Sequence, residues 1–236
     1  MKAPILMYHR IGEPRPGSIV GGQYVSPDLF SRHLRFLNRR YAAMPLSDFV
    51  ESLASPQPGR RPVSITFDDG YESVVSNALP VLRRHEVPAT VFVVAGQVGG
   101  TNNWDEAKGD VTERIMTREQ VRQADLAGIE IGSHTVSHLD LLDCPAGQAV
   151  KEIAESKRIL EDILGKAVDW FSYPYGREDD DIRSFVRAAG YLGACGTNRS
   201  LNTAGTDRFS LARINMRAST SVPWLIYKLF RASRNT

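Results

Sequence analysis

Cysteine is nearly absent from this chain: its 236 residues include only Cys144 and Cys195. Two thiols so far apart make no disulfide framework and fit a reducing compartment. No apolar run approaches the roughly 20 residues of a membrane-spanning helix. The N-terminal Met1-Lys2-Ala3-Pro4 passes directly into a short apolar stretch without a signal-peptide pattern, so a cytoplasmic location is expected. Charge of either sign is not in excess, since 29 basic against 27 acidic residues leave a net +2. The pairs Arg39-Arg40, Arg60-Arg61 and Arg83-Arg84 stand isolated, which argues against a nucleic-acid partner. Internal repeats and low-complexity tracts are missing. Histidine is scarce: there are five, and none follows His138.

With 42% hydrophobic residues, the chain is long enough to bury a substantial core, and one domain over residues 1–236 is expected. Short β-rich runs at residues 5–8, 63–67, 90–94, 129–132, 168–172, 192–195 and 211–214 alternate with helical patterns. Ser26-Pro27 reads as an N-cap and first helical residue, opening a helix that runs toward Tyr41. Thr117 and Gln120 have capping-box spacing, and Gly128 stops that helix. Val150, Ile153, Ala154, Leu160 and Leu164 give a long amphipathic helix ended by Gly165. Ile182, Phe185, Val186 and Ala189 give another, ended by Gly190. Residues 52–61, rich in Pro and Ser, read as a loop. Such alternation predicts parallel strands with helices packed outside.

Three of these strands end on reactive chemistry, at the C-terminal ends where such folds place catalytic residues. The first runs into Thr66-Phe67-Asp68-Asp69-Gly70 and the second into His134-Thr135-Val136-Ser137-His138. A divalent ion such as Zn²⁺ takes imidazole and carboxylate ligands, and three protein ligands leave a position for water. Asp69, His134 and His138 supply such a set. The two imidazoles are four residues apart, the spacing that puts both on one face of a helical turn. Adjacent carboxylates in extended backbone point to opposite sides, so Asp68 is left over to act as general base. The third strand ends in Phe171-Ser172-Tyr173-Pro174-Tyr175-Gly176, a turn suited to presenting the Tyr175 backbone N–H to a reacting oxygen.

Together these segments resemble the three motifs, in order, of the polysaccharide deacetylases of carbohydrate esterase family 4, the NodB homology domain. The resemblance covers roughly Pro62 to Met216. It implies a distorted (β/α)7 barrel and metal-dependent hydrolysis of an acetyl group on a sugar, with Asp68 as base and Asp69, His134 and His138 on the metal. The implied cofactor is a divalent ion, foremost Zn²⁺, with Co²⁺ or Ni²⁺ as alternatives. The implied partner is an acetylated saccharide.

Two departures redirect the remaining assignments. The family's third motif usually opens with Arg two residues before the Phe, where this chain has Asp169, and its late Leu-x-His motif is absent. The chain thus resembles the circularly permuted poly-N-acetylglucosamine deacetylases, in which an N-terminal strand ending in His replaces the late motif. Residues 1–61 would be the permuted portion, His9 the general acid, and Arg213 the replacement for the missing Arg that orients the base. A catalytically inactive glycan-binding protein, or a deacylase acting on an O-acetyl ester or formyl group, fits the same residues. His33 and His85 read as structural, the latter as a cation at a helix C-terminus. Trp104, in a polar loop over residues 96–110, is placed either to stack on a sugar or to pin its loop. Residues 221–236 form a C-terminal helix that packs on the barrel or lies on a membrane surface. The sequence specifies no oligomeric state.

Overall fold

The computed structural model describes residues 1–55, 58–106 and 108–235. Pro56 and Gln57 of the expected 52–61 loop, Ala107 of the Trp104 loop and Thr236 of the C-terminal segment lie outside the described residues. In chain order the elements are β1 (Ile5–Tyr8), β2 (Arg10–Ile11), β3 (Tyr24–Val25), α1 (Pro27–Asn38), β4 (Tyr41–Ala43), α2 (Leu46–Ala54), β5 (Arg61–Phe67), α3 (Leu79–His85), β6 (Thr90–Val93), α4 (Asn103–Glu106), α5 (Arg118–Leu126), β7 (Glu130–Ser133), α6 (Ala146–Leu164), β8 (Trp170–Ser172), α7 (Asp180–Ala188), β9 (Gly193–Cys195), β10 (Ile214–Asn215) and α8 (Val222–Arg234).

Seven strands line up in the order β10-β1-β5-β6-β7-β8-β9, every neighbour parallel. A parallel bridge between Cys195 and Leu211 spans the remaining gap, so the sheet curls into the expected barrel. β4 pairs with the opening residues of β5, and β2 with β3 in a separate ribbon.

Alternation along the strands divides the side chains between two regions. Leu6, Tyr8, Ile65, Phe67, Val91 and Val93 pack in the large cluster beneath the helices. Ile5, Phe92, Trp170, Cys195 and Leu211 form a smaller one inside the barrel, into which α2 inserts Leu46, Phe49 and Leu53. Gly132 makes room there: a Cβ would lie 2.5 Å from the Phe92 ring. The inward parity of Ile5 carries on to Met7 and His9, which line the cavity at the C-terminal mouth of the barrel.

The caps behave as their chemistry demands. Ser26 Oγ accepts from Leu29 N–H, and Thr117 and Gln120 form the reciprocal capping box. Four details differ from expectation. The first helix ends at Asn38 rather than near Tyr41, because residues 41–43 pair with β5. Residues 52–54 belong to α2, not to a loop. The buried stripe of α6 is Ala149, Ile153, Ser156, Leu160 and Ile163, with Val150 exposed. Only Ile214 of the expected 211–214 strand joins the β10 ladder.

His33 is structural. Its Nε2 lies 2.6 Å from the Thr220 carbonyl and must donate to it, so Nδ1 accepts from Tyr8 Oη at 3.0 Å. His85 differs from the expected cation: burial together with Arg35 and Arg84 lowers its pKa, and its Nε2 shares a hydrogen bond with Ser31 Oγ. No helix among the described residues is long and apolar enough to cross a membrane.

Candidate active site

Asp69, His134 and His138 bring one carboxylate oxygen and two imidazole nitrogens within 4.8 Å of one another, all three residues being buried. Asp69 Oδ1 lies 3.5 Å from His134 Nε2 and 3.3 Å from His138 Nε2. The His134 Nδ1 is 2.6 Å from the Ser172 carbonyl. Donation there places the proton on Nδ1 and leaves the Nε2 lone pair facing the other two donors, the arrangement a metal-ligating histidine needs. Burial disfavours the Asp69 carboxylate, yet bonds to the two imidazoles outweigh this and hold its pKa well below the usual range. The donor set fits a divalent metal ion.

The backbone achieves this differently from the sequence expectation. His134 and His138 do not share a helical turn. They lie in a loop after β7 in which Thr135 and His138 adopt φ of 67° and 60°. Glu152 of α6 holds this loop by accepting from Val136 N–H, Ser137 N–H and Ser137 Oγ. Similarly, Asp68 and Asp69 do not point to opposite sides. β5 ends at Phe67 and Asp69 turns left-handed, φ 72°, so both carboxylates line one cavity.

Asp68 is held by Arg213 in a two-pronged ion pair, Nη1 to Oδ1 at 2.6 Å and Nη2 to Oδ2 at 2.8 Å. The same guanidinium donates to Ser172 Oγ and the Gly196 carbonyl. Burial raises the Asp68 pKa, but Arg213, followed by His134, outweighs it and keeps the carboxyl below its ordinary value. Asp169, where the family usually has Arg, precedes β8, and the structure places Arg213 on the base instead.

His9 and Tyr175 line the same cavity, whose volume is about 180 Å³. His9 Nδ1 is buried with no hydrogen-bond partner among the described residues. Burial lowers the His9 pKa, against the opposing pull of Asp69 and Asp68. Tyr175 has φ 60° in the Pro174 turn, and its phenol, exposed at the rim, accepts from Lys108 Nζ at 2.9 Å. Gly176 shapes this turn: φ is +69°, and a Cβ would lie 2.0 Å from Thr197 Oγ1. Gly176→Ala is therefore expected to cost about 2–4 kcal/mol in stability, the sum of left-handed strain and overpacking. Urea unfolding measures it, and a loss below 1 kcal/mol would show that the turn relaxes freely.

Sequence reasoning singled out Trp104 as a residue that stacks on a sugar or pins its loop, but did not foresee that it forms a wall beside His138. Trp104 stacks on that imidazole, with ring centroids 4.7 Å apart and planes at 18°. Its neighbour Asp105 is tied to Arg10, a fully buried guanidinium that also bonds Tyr71 and Asp110. The signal was Arg10 itself, a charge directly after His9 in an apolar strand.

Residues 55–194 match the family model for polysaccharide deacetylase, more than half of the chain. The chain belongs to the polysaccharide deacetylase family. His9 and Arg213 fall outside the matched segment. YxkH of Bacillus subtilis (strain 168) is 27% identical over 217 residues, 91% of this chain and 71% of that protein. A poly-beta-1,6-N-acetyl-D-glucosamine N-deacetylase of Staphylococcus aureus (strain MSSA476) is 24% identical over 202 residues, 80% of this chain and 67% of its own. Streptococcus pyogenes deacetylase PplD, solved in complex with acetate, superposes with a TM-score of 0.82 at 26% identity, covering 97% of this chain and 98% of that one. IcaB from Ammonifex degensii shares the fold, with a TM-score of 0.82 at 24% identity and 96% of each chain covered. This family member is thus a hydrolase that removes acetyl groups from polysaccharide, and its Asp/His/His cluster suits the divalent metal of such enzymes.

Proposed function

We propose that the protein removes the acetyl group from N-acetylated aminosugars of a poly- or oligosaccharide, with Zn²⁺ held by Asp69, His134 and His138. The observation that carries this reading is the convergence of those three donors beside a carboxylate, Asp68, that is kept ionised by Arg213. A pocket that only held sugar would need no such charged, oriented base. The staphylococcal relative's named substrate, an N-acetylglucosamine polymer, supports the choice of amide over ester.

When bound, the metal ion would act as a Lewis acid toward water and the acetyl carbonyl. The protein's own groups carry the protons. Asp68 removes one from the attacking water, its orientation fixed by both prongs of Arg213. The Tyr175 N–H donates to the oxygen that becomes negative as the carbonyl carbon turns tetrahedral. His9 gives a proton to the amide nitrogen as the carbon–nitrogen bond breaks, so that water and amide become acetate and free amine.

Acetate release from N-acetylated and O-acetylated oligosaccharides, measured before and after chelation and with Zn²⁺ restored, tests this. Release from the N-acetylated substrates should disappear with chelation and return with Zn²⁺. Zn²⁺ should also raise the thermal midpoint, since a ligand at 100 times its Kd adds about 2.7 kcal/mol. Release confined to O-acetylated sugars would overturn the amide assignment.

A further inference from the structure

Beyond the catalytic cavity, across Asn215, lies a second hollow of about 380 Å³ whose wall is strongly cationic. Asn215 lines both. Arg199, Arg217, Lys228 and Arg231 line the second one, and no carboxylate lines it among the described residues. None of the four is in an ion pair among the described residues; the three arginines are exposed and Lys228 is half-buried. Trp224 and Tyr227 of α8 form one side. They stack on each other with centroids 4.7 Å apart and planes at 25°, and both stay exposed. Their positions on α8 do not serve the core, which the helix meets with Leu225, Leu229 and Ala232.

The uncompensated charge has a cost that the fold tolerates. Lys228 Nζ donates to the Asn215 carbonyl at 2.6 Å and to Thr220 Oγ1 at 3.1 Å. Burial first, then Arg199 and Arg217, push its pKa down to about 8. Cations crowded without an acid are what an anion would relieve, and guanidinium forks match phosphate oxygens in geometry. An exposed aromatic pair beside them offers an apolar face to a sugar ring. Asn215, which lines both cavities, has a buried Oδ1 with no partner among the described residues.

We propose that this hollow is a subsite for a phosphate group on the saccharide, so that the preferred substrate is an acetamidosugar chain carrying a phosphate ester beyond the unit that is deacetylated. The inference rests on the deacetylase assignment of the adjoining cavity. An acidic protein surface fits less well, because a shared wall with the reacting site calls for one continuous ligand.

The test compares kcat/KM for an N-acetylated disaccharide and its 1-phosphate ester in the Zn²⁺-loaded full chain, in Arg217→Gln/Arg231→Gln and in Arg217→Lys/Arg231→Lys. The phosphorylated substrate should be favoured by about tenfold or more, the scale of a charge-assisted hydrogen bond. That ratio should collapse toward one in the Gln pair and be partly kept in the Lys pair. Calorimetric binding of N-acetylglucosamine 1-phosphate should follow the same order independently of turnover. Equal kcat/KM for both substrates in wild type would overturn the phosphate subsite while leaving the deacetylase assignment intact. Phosphosugar binding that requires the arginines, with no acetate released from either compound, would overturn the activity and keep the subsite. Arginine-dependent binding to phosphatidylglycerol vesicles, without preference for the phosphorylated substrate, would overturn the subsite in favour of a membrane surface.

Discussion

Asp68→Asn is expected to lower kcat for acetate release by roughly 10²–10⁴, the range for losing a positioned general base, while Zn²⁺ still binds one to one. The argument rests on the separation of two adjacent carboxylates. Asp69 faces the imidazoles of His134 and His138, whereas Asp68 has both oxygens on Arg213. An amide at position 68 keeps the size and one acceptor but cannot take a proton from water. His134→Ala serves as the contrast, because it should lose both bound zinc and turnover. The paired readout of zinc content and kcat therefore distinguishes base from ligand. Asp68→Asn retaining a tenth or more of wild-type kcat would show that another group takes the proton, and zinc lost from this variant would move Asp68 into the ligand set.

Much of this site was legible because its chemistry is concentrated at strand ends. Seven apolar runs alternating with amphipathic helices specify a parallel sheet; six ring strands match those runs to within two residues at each end, and β10 shares only Ile214 with the last. His9 could be singled out because it is the one histidine outside the motifs that stands at the end of an apolar strand. Local backbone was less legible. Asp69, Thr135, His138 and Tyr175 all have positive φ, a region ordinary residues rarely enter and propensity argues against. The helical-turn reading of His134 and His138 failed for that reason. Contacts distant in sequence were equally hidden: Arg10 finds Tyr71 61 residues away and Asp105 95 residues away. The pairing of Tyr41 with Arg61 likewise turned the expected end of a helix into a strand. Arg213 lies between these cases. Its residue type invited the assignment, but only the closing of β10 against β1 brings it to a carboxylate 145 residues earlier.

Arg213→Met should destabilise the metal-free protein by about 3–5 kcal/mol at pH 7, the cost of leaving one member of a buried ion pair alone. Arg213 is fully buried and donates to Ser172 and Gly196 as well as to Asp68, so a methionine of similar length fills the space and satisfies none of these acceptors. In the wild type Arg213 outweighs burial and lowers the Asp68 pKa. The pair therefore adds stability above the ordinary carboxylate value of about 4 and loses it as pH falls through the folded value. Without the guanidinium, burial dominates and the folded pKa moves above the unfolded one, so that the variant instead loses stability as pH rises from about 4. The difference between the two proteins should accordingly be larger at pH 7 than at pH 4 in urea unfolding with unchanged m-values. Adding Asp68→Asn to Arg213→Met removes the stranded charge and should return part of the loss, whereas additive single effects would mean that Arg213 stabilises the barrel through Ser172 and Gly196 alone and does not hold the base.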